Sequence, residues 1–593
     1  MINKIRLISI VFAVVFFAVS CADDKSFDTG DNESMSDDTG NTGNTGDTGD
    51  SSDNEVSDNN ADTGNTGNTA DTGDTGDTSD TGNTGNTGDT ANTGGDGDSI
   101  TNDTETGDNE LTDDFVDEIL LPDEDSEIPD EDADTAVPQI GDLIENPFIE
   151  TVEDPVSTFS APHSTATYTL VRNYIMERFL MPDKNDIRIE EMVNYFDYDF
   201  PEPVGDEPFS YTMEMGTSPW TTGRDLVMIK IKGREIDAAH NLNKNIVLLV
   251  DVSGSMDDTN KLTLIKTSFK QLVGGLGVND RVAIVSYSAT AKVVLASTSA
   301  DKKTTINTAI DSLIASGMTN VGDGLKFAYQ EAKNGFIENG VNRVVLATDG
   351  DFNTGLSEKE LLQYIATQRQ DNDIFMTVLG YGITDYEDKT MQLIADNGDG
   401  NYYYVDNAKE SYRIFVKKLQ STLFTIAKDL KIQVEFNPQA VARYRLIGFE
   451  TRLMEDSGFS NDAKDGGEIG AGHTVTAFYE IEKTEAALPI LRSTVFEENE
   501  ALELRIRYKR PDEDFSRYLS KKLINQNEAT MSEDMSFATS VVEYAMLLRR
   551  SAYREDSSYD SVVSRATTNI GIDTWGLREE FIDIVTTTKE LDK

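Results

Sequence analysis

Residues 246–258 read IVLLVDVSGSMDD, and this stretch decides the fold. Five apolar residues run directly into Asp251, which Ser253 and Ser255 follow at alternate positions. An uninterrupted apolar run of this kind is typical of a parallel strand that is buried on both faces of its sheet. In open parallel sheets, ligands bind outside the carboxyl ends of the strands. We therefore expect a buried strand whose end carries a binding site.

The surrounding residues, 243–427, alternate between strand and helix patterns. Further candidate parallel strands are 281–288, 342–350 and 374–382, and segments with apolar residues at helical spacing are 262–273, 304–314, 321–332 and 358–368. Alternation of this kind is the pattern of an α/β domain. It predicts a doubly wound, mainly parallel sheet, similar to a Rossmann fold, with helices on both faces.

Three separate segments place oxygen atoms at the predicted strand ends. The first contains Asp251, Ser253 and Ser255, the second contains Thr319 ahead of the helix at 321–332, and the third contains Asp349. Together they offer two carboxylates and three hydroxyls, without an imidazole or a thiolate. A ligand set made only of oxygen selects a hard cation, Mg²⁺ first, with Mn²⁺ or Ca²⁺ as other possibilities. These five residues are the predicted metal site.

At these residues the sequence resembles the von Willebrand factor type A (VWA) domain and its metal-ion-dependent adhesion site (MIDAS). The family pattern is Asp-x-Ser-x-Ser, a separate Thr and a separate Asp, and all five positions here have the expected residue type. The resemblance implies that the two serines and Thr319 bind the metal directly, while Asp251 and Asp349 act through water. It also implies that an Asp or Glu of a partner protein completes the metal's ligand shell.

The resemblance extends into both flanks. Residues 171–203, 427–452 and 467–481 are similar to a bacterial group of YfbK-like VWA lipoproteins. In that group a short N-terminal region precedes the VWA domain, and a C-terminal region of unknown function follows it. The resemblance therefore implies an architecture, but it says little about partners.

The flanks also have a pattern of their own, because their apolar residues recur at every second position. Phe209, Tyr211, Met213 and Met215 alternate with polar residues before the VWA segment, and Leu502, Leu504, Ile506 and Tyr508 do so after it. Such alternation predicts strands with one buried face. We expect helices and then strands in 155–242, and strands and then helices in 428–593. Our hypothesis is that the strands of the two flanks form one β-rich body, interrupted by the VWA domain.

The N-terminus, MINKIRLISIVFAVVFFAVSC, has the features of a secretory signal. Lys4 and Arg6 precede an apolar core that is too short for an ordinary membrane-spanning helix. Cys21 is the only cysteine, and it follows small residues as in a bacterial lipobox, although Ala18 stands where Leu is commoner. We predict that 1–20 is a lipoprotein signal peptide and that Cys21 is lipidated. The alternative is an ordinary signal followed by a chance cysteine.

Residues 21–154 are strongly acidic and contain a three-residue Asp/Asn-Thr-Gly repeat, as in DTGNTGNTADTGDTG at 62–76. Between residues 21 and 150 there are 39 acidic residues and one basic residue, Lys25. This composition buries almost no apolar surface and its charges repel one another, which predicts a disordered acidic linker. The whole chain has a net charge of -57 and no basic face to displace the counterions of a nucleic acid. Nucleic acid is therefore excluded as a partner.

These features predict a recognition protein of the bacterial cell envelope, lipid-anchored in the outer membrane and facing the periplasm or the surface. An enzyme is not expected, because His163, His240 and His473 lie far apart and no thiol remains for catalysis. One alternative is a metal-dependent phosphohydrolase with Asp251 as nucleophile, although that chemistry needs an acid where Ser253 stands. The other alternative is a structural envelope protein whose metal only stabilises the fold.

Overall fold

The computed structural model describes residues 143–593, except for 162–163, 236–241, 351–356, 383–387, 419–422, 463, 465, 485–495, 498, 512, 514 and 526–529. These residues fall within one compact unit of the chain, Asp123–Lys593. The predicted signal peptide, Cys21 and most of the predicted linker lie outside the described residues.

The strands in chain order are β1 (Ile149–Glu150), β2 (Val156–Ser160), β3 (Phe209–Thr217), β4 (Arg224–Gly233), β5 (Lys244–Asp251), β6 (Arg281–Tyr287), β7 (Ala291–Ser299), β8 (Val341–Thr348), β9 (Phe375–Gly380), β10 (Tyr402–Tyr404), β11 (Thr425–Phe436), β12 (Val441–Ile447), β13 (Leu453–Met454), β14 (Ile469–Gly470), β15 (Thr474–Lys483), β16 (Glu500–Lys509) and β17 (Arg517–Ile524). The α-helices are α1 (Ala166–Arg172), α2 (Ile189–Val193), α3 (Leu262–Gly275), α4 (Lys303–Asp311), α5 (Val321–Asn334), α6 (Glu358–Asn372), α7 (Asp388–Asn397), α8 (Ala408–Tyr412), α9 (Glu533–Arg549), α10 (Tyr559–Thr568) and α11 (Leu577–Leu591).

The α/β domain is built on a six-stranded sheet in the order β10-β9-β8-β5-β6-β7. Neighbouring strands pair in parallel from β10 to β6, and β7 pairs antiparallel with β6 at one edge. Helices α3 and α4 pack on one face, and α5, α6 and α7 pack on the other. Every residue of β5 is buried because both faces of the strand are covered. The predicted doubly wound sheet is confirmed.

The direction of winding reverses at β5. The chain proceeds from β5 through β6 to β7 on one side, and then returns to place β8, β9 and β10 on the other side. The carboxyl ends of β5 and β8 therefore border the crevice in which an open α/β sheet binds its ligands.

Two antiparallel sheets form a sandwich with a shared apolar core. One has the order β1-β12-β15-β4-β3 and the other β13-β2-β11-β16-β17, with β14 paired to β11. Strand β4, before the α/β domain, pairs with β15, after it, and β2 pairs likewise with β11. Both sheets thus need strands from both flanks. The hypothesis of one β-rich body interrupted by the α/β domain is confirmed.

A helical layer covers the outer face of the first of these sheets. Helices α1, α2, α9, α10 and α11 share a core with Leu226, Met228, Ile447 and Phe478 of the sheet. Phe537, Val541, Ala545 and Leu548, which are spaced as one face of a helix, lie in α9 and are buried. No helix within the described ranges is long and apolar enough to cross a membrane.

The predicted end of the linker at residue 154 is wrong, because its last described residues, 143–154, belong to the folded body. Strand β1 pairs antiparallel with β12, and the buried Asn146 donates hydrogen bonds to the carbonyl oxygens of Leu446 (3.1 Å) and Gly448 (2.7 Å). Thr151 is also buried. These contacts are a short backbone pairing and the hydrogen bonds of one polar side chain, so they leave almost no apolar pattern in the sequence.

A buried group of charges, here called the Arg172 cluster, joins the α/β domain to the helical layer. It consists of Arg172, Asp406, Glu410, Arg413 and Glu580. The Arg172 guanidinium lies 2.6 Å from Asp406, 3.2 Å from Glu410 and 2.8 Å from Glu580, and Arg413 lies 2.7 Å from Glu410. Asp406 and Glu410 follow the last strand of the α/β sheet, whereas Arg172 ends α1 and Glu580 lies in α11.

Candidate metal centre

The Asp-x-Ser-x-Ser segment turns sharply at the end of β5. Asp251 is the last residue of the strand and is fully buried. Its Oδ1 accepts a hydrogen bond of 2.8 Å from the Ser253 backbone N–H, which fixes the carboxylate against the loop. The Ser253 and Ser255 hydroxyl oxygens are 3.0 Å apart, at the start of a single 3₁₀ turn, Gly254–Met256. Ser255 is exposed, so the pair opens to solvent on one side.

The loop that carries Thr319 is hydrogen-bonded directly to this turn. The Ser316 N–H donates to the carbonyl of Val252 (2.7 Å), and the Gly254 N–H donates to the carbonyl of Gly317 (2.9 Å). Gly317 has a φ of 87°, a left-handed conformation that suits glycine and lets the loop reverse here. Thr319 follows, with 8% of its surface exposed. The second predicted segment therefore lies beside the first.

The third segment reaches Asp251 from β8. The hydroxyl of Thr348, the last residue of β8, donates to Oδ2 of Asp251 over 3.3 Å and accepts from the Gly350 N–H over 3.1 Å. The next residue, Asp349, is buried, and its Oδ2 accepts a hydrogen bond of 2.9 Å from the Lys261 ammonium. The structure thus brings all three predicted segments to the crevice between β5 and β8.

The electrostatics of this crevice disfavour a charged Asp251 in the absence of a cation. The pKa of Asp251 is raised from its usual 3.8 to about 6, because burial and, to a smaller extent, the negative charge of Asp349 outweigh the lowering effect of the hydrogen bonds from Ser253. A divalent cation between the segments would remove this cost. A strongly shifted carboxyl group at a strand end is typical of a functional site.

The residues fit a small, hard cation. In an octahedral magnesium site with metal–oxygen distances of about 2.0–2.1 Å, neighbouring ligand oxygens lie about 2.9–3.0 Å apart. The Ser253 and Ser255 hydroxyls, which are hydrogen-bonded to each other at 3.0 Å, are also at this separation. Within the described residues, no three His, Cys, Asp or Glu side chains gather where they would hold a metal, so a centre here depends on hydroxyl ligands. Ligation of a metal by the five residues stays a prediction.

Comparisons with known proteins agree with this architecture. Residues 245–421 match the model of the von Willebrand factor type A domain, and residues 138–228 match a model described as von Willebrand factor. Residues 421–591 match the C-terminal region of the uncharacterized protein YfbK. The YfbK protein of Escherichia coli K12 is 35% identical over 460 residues, which are 74% of this chain and 79% of that protein. The chain belongs to the YfbK family.

Other relatives of this YfbK-family chain match smaller parts of it. An uncharacterized protein of Synechocystis is 27% identical over 219 residues, 37% of this chain and 51% of that protein. A von Willebrand factor type A structure from Catenulispora acidiphila is 15% identical, covers 64% of this chain and 89% of its own, and has a TM-score of 0.38. The structure of the ArnB paralog VWA2 of Sulfolobus acidocaldarius is 12% identical. The match covers 65% of this chain and 98% of that one, with a TM-score of 0.32. The VWA domain of the chain is a protein-interaction module of the adhesion type.

Two residues of the site in this YfbK-family chain were missed by sequence reasoning. Thr348 supports Asp251, and Lys261 forms a buried ion pair with Asp349. Thr348 is adjacent to Asp349 in the sequence, and its position at the end of β8 could have indicated its role. Lys261 begins a helix, where a lysine is ordinarily solvent-exposed, so no sequence pattern marked it.

Proposed function

We propose that the VWA domain of this chain holds one divalent cation, Mg²⁺ first, and uses it to bind a carboxylate of a partner protein. Ser253, Ser255 and Thr319 would bind the cation directly, and Asp251 and Asp349 would act through water. The observation that carries this proposal is the 3.0 Å separation of the two serine hydroxyls beside a buried carboxylate of raised pKa. Because the direct ligands are neutral hydroxyls, the cation would keep positive charge for the partner's carboxylate.

The surface beside the site supports a protein partner. Met318, next to Thr319, has 74% of its surface exposed, and Ile314 in the same loop has 76% exposed. Loop residues that are held by backbone hydrogen bonds and present large apolar side chains are suited to contact with another protein. We therefore expect the partner to present an Asp or Glu with an apolar neighbour.

Binding without turnover is the proposed role, because Asp251 is poorly placed as a nucleophile. Both of its carboxylate oxygens accept hydrogen bonds, from the Ser253 N–H and from the Thr348 hydroxyl. A phosphohydrolase also needs a second acid two positions after its nucleophile, and that position is Ser253. Turnover of a generic phosphoester that is lost in Asp251→Asn would contradict this part of the proposal.

Calorimetric titration of Mg²⁺ and Mn²⁺ into the metal-stripped chain, from residue 22 onward, tests the metal site. We expect saturable binding of one ion that is lost in Asp251→Ala and in the double variant Ser253→Ala, Ser255→Ala. Asp257→Ala is the matched control, because Asp257 is an exposed carboxylate close to the serines. Any weak binding by the acidic linker is common to all of these proteins. Saturable binding of equal strength by wild type and Asp251→Ala would overturn the proposal.

A separate test decides between recognition and a stabilising metal. Thr319→Ala is expected to weaken the binding of acetate or of a short acidic peptide to the metal-loaded protein. If the variant lowers only the melting temperature and leaves carboxylate binding unchanged, the metal has a structural role.

We propose in addition that the chain is a lipoprotein of the bacterial envelope, attached through Cys21. The support is the N-terminal sequence alone: a basic start, a short apolar core and a lone cysteine after small residues. In the producing bacterium, we expect the protein to incorporate labelled fatty acid and to fractionate with membranes. Cys21→Ser should abolish both properties, and membrane association without fatty acid would contradict the proposal.

A further inference from the structure

Lys261 is an unusual residue to find at a candidate cation site. It immediately precedes α3, its side chain is 8% exposed, and its ammonium lies 2.9 Å from Oδ2 of Asp349, whose side chain is 3% exposed. Lysine is rarely buried unless it is paired, and here its partner is one of the predicted metal-site carboxylates. A cationic side chain thus lies within the predicted ligand set.

The backbone around Lys261 is shaped to hold this position. The Lys261 N–H donates to the carbonyl of Asp258, and its own carbonyl accepts from the Ile265 N–H in the first turn of α3. The side chain passes over Gly382, where an added Cβ would lie 2.3 Å from the lysine Cε. Gly382 also has a φ of 89°, which favours glycine. The absence of a side chain at residue 382 therefore leaves the path along which Lys261 reaches Asp349.

The charge of the site depends on this lysine. Asp251 and Asp349 contribute two negative charges, Lys261 contributes one positive charge, and the hydroxyl ligands contribute none. With a divalent cation the site would carry one net positive charge, whereas it would be neutral without Lys261. A carboxylate from a partner would restore neutrality. At distances of a few ångströms inside a protein, one unit charge changes a binding constant by about tenfold or more.

We propose that Lys261 makes cation binding at this site depend on a carboxylate. Because the ammonium neutralises Asp349, it lowers the affinity of the site for the cation when no carboxylate is present. It also leaves the cation-bound site with one net positive charge, which a partner carboxylate neutralises. Cation and carboxylate therefore bind cooperatively, and Lys261 is the positioning residue that couples them. This inference rests on the metal site proposed above and adds to it a condition under which that site fills.

The test is titration of Mg²⁺ into metal-stripped wild type, Lys261→Met, Lys261→Arg and Lys266→Met, each with and without acetate as the carboxylate probe. In wild type, acetate is expected to tighten Mg²⁺ binding several-fold. In Lys261→Met, Mg²⁺ alone should bind about tenfold tighter or more, and the effect of acetate should largely disappear. Lys261→Arg keeps the charge and should keep the cooperativity.

Lys266→Met is the matched control, because Lys266 lies on the same helix and donates to the carbonyl of Asp311 instead of to the site. It should behave as wild type. If Lys261→Met does not fold, Lys261→Gln, which retains a hydrogen-bond donor without the charge, takes its place and should show the same gain in Mg²⁺ affinity. Thermal unfolding of the metal-free proteins reports folding separately from metal binding.

The outcomes separate this inference from the function proposed above. If Lys261→Met binds Mg²⁺ no tighter than wild type, or if acetate has the same effect in both, the coupling role is overturned while the metal site stands. If no variant binds Mg²⁺ with or without acetate, both proposals fail. Binding by Lys261→Met when wild type alone binds nothing would support the coupling role.

Discussion

The candidate metal centre and the Arg172 cluster are both buried groups of charges, but they differ in how completely those charges are paired. In the Arg172 cluster, two arginines contact three carboxylates at 3.2 Å or less. In the candidate metal centre, Asp349 forms an ion pair with Lys261. Asp251 accepts hydrogen bonds from the Ser253 backbone N–H and the Thr348 hydroxyl. The first arrangement fastens two parts of the fold together, and the second leaves Asp251 with no cationic side chain among its described contacts.

The pKa values of the carboxyl groups reflect this difference. For Glu410, burial raises the pKa, but Arg413 and Arg172 together with hydrogen bonds from Arg413 and Tyr195 outweigh burial and lower it to about 2. For Asp251, burial prevails and the pKa is raised to about 6. Comparable burial thus gives opposite shifts, and the number of cationic partners decides the sign. The lowered pKa of Glu410 reflects charge pairing that stabilises the fold, whereas the raised pKa of Asp251 reflects a buried carboxyl group with no cationic side chain among its described contacts.

The largest expected effect comes from removing the centre of the paired cluster. Arg172→Met leaves Asp406 and part of Glu410 buried without a cation, and breaking a buried pair in this way costs about 3–5 kcal/mol. We expect the free energy of unfolding in urea at neutral pH to fall by that amount. The control is Lys409→Met, because Lys409 is half exposed and contacts Glu580 at 3.4 Å. It should cost well under about 1 kcal/mol.

Mg²⁺ binding by Arg172→Met should equal that of wild type, since the cluster has no ligand role. If Arg172→Met loses less than about 1 kcal/mol of unfolding free energy, the remaining carboxylates of the cluster rearrange easily when the arginine is removed. The contrast between fully paired charges in the cluster and incompletely paired charges in the metal centre would then disappear.

Glu410→Gln is the next test, and its effect depends on pH. The pKa of Glu410 is lowered in the folded state, so its negative charge adds to the free energy of unfolding. This stabilisation is fully present above the pKa of the unfolded chain, near 4.5, and is lost as the pH falls toward 2. The difference between wild type and Glu410→Gln should be about 3 kcal/mol at pH 7 and should vanish near pH 2. Chemical unfolding at a series of pH values measures it.

Asp406, in the same cluster, behaves differently and has to be considered in that experiment. Burial raises its pKa despite the pairing with Arg172, so it protonates before Glu410 as the pH falls. Because the negative charge of Glu410 is one cause of that rise, the pKa of Asp406 is lower in Glu410→Gln, and its altered titration is part of the measured difference. A difference between the two proteins that does not change with pH would indicate lost packing and not a lost charge.

The comparison also shows what the sequence could predict. The ends of β5 and β8 were predictable, because continuous apolar runs stop at Asp251 and Asp349 in strands that the alternation of elements makes parallel. The single β-rich body was predictable because apolar residues recur at every second position in both flanks of the α/β domain. The Arg172 cluster was not, since the carboxylate partners of Arg172 lie more than 230 residues away and an arginine ending a helix has no distinctive pattern. Lys261 was missed because a lysine at the start of a helix is ordinarily exposed, and its partner Asp349 lies 88 residues away.

An effect of similar size and opposite sign is expected at the metal centre. Because the pKa of Asp251 is raised, the free energy of unfolding of the metal-free protein increases as the pH falls through about 6. Above that pH, the buried negative charge of Asp251 destabilises the fold. In the presence of a chelator, Asp251→Asn should raise the free energy of unfolding by about 3 kcal/mol at pH 8, and the gain should vanish near pH 4. The amide oxygen can still accept from the Ser253 N–H.

Asp257→Asn is the control for that measurement, because Asp257 is exposed and close in sequence. It should change stability little at either pH. A loss of stability in Asp251→Asn at pH 8 would mean that the charged carboxylate is already well compensated in the metal-free protein, and the contrast with Glu410 would fail.

The smallest expected effect is at Thr348, which supports Asp251 without being a proposed ligand. Thr348→Val keeps the shape of the side chain but removes the hydroxyl between Asp251 and the Gly350 N–H, at a cost of about 1 kcal/mol in unfolding free energy. Groups that orient a metal ligand commonly change metal affinity by about tenfold or more. We therefore expect Mg²⁺ to bind about tenfold more weakly in Thr348→Val. Thr298→Val, in the exposed edge strand β7, is the control. A variant that loses stability but binds Mg²⁺ as tightly as wild type would place Thr348 with the Arg172 cluster, as a residue that holds the fold and leaves the site unchanged.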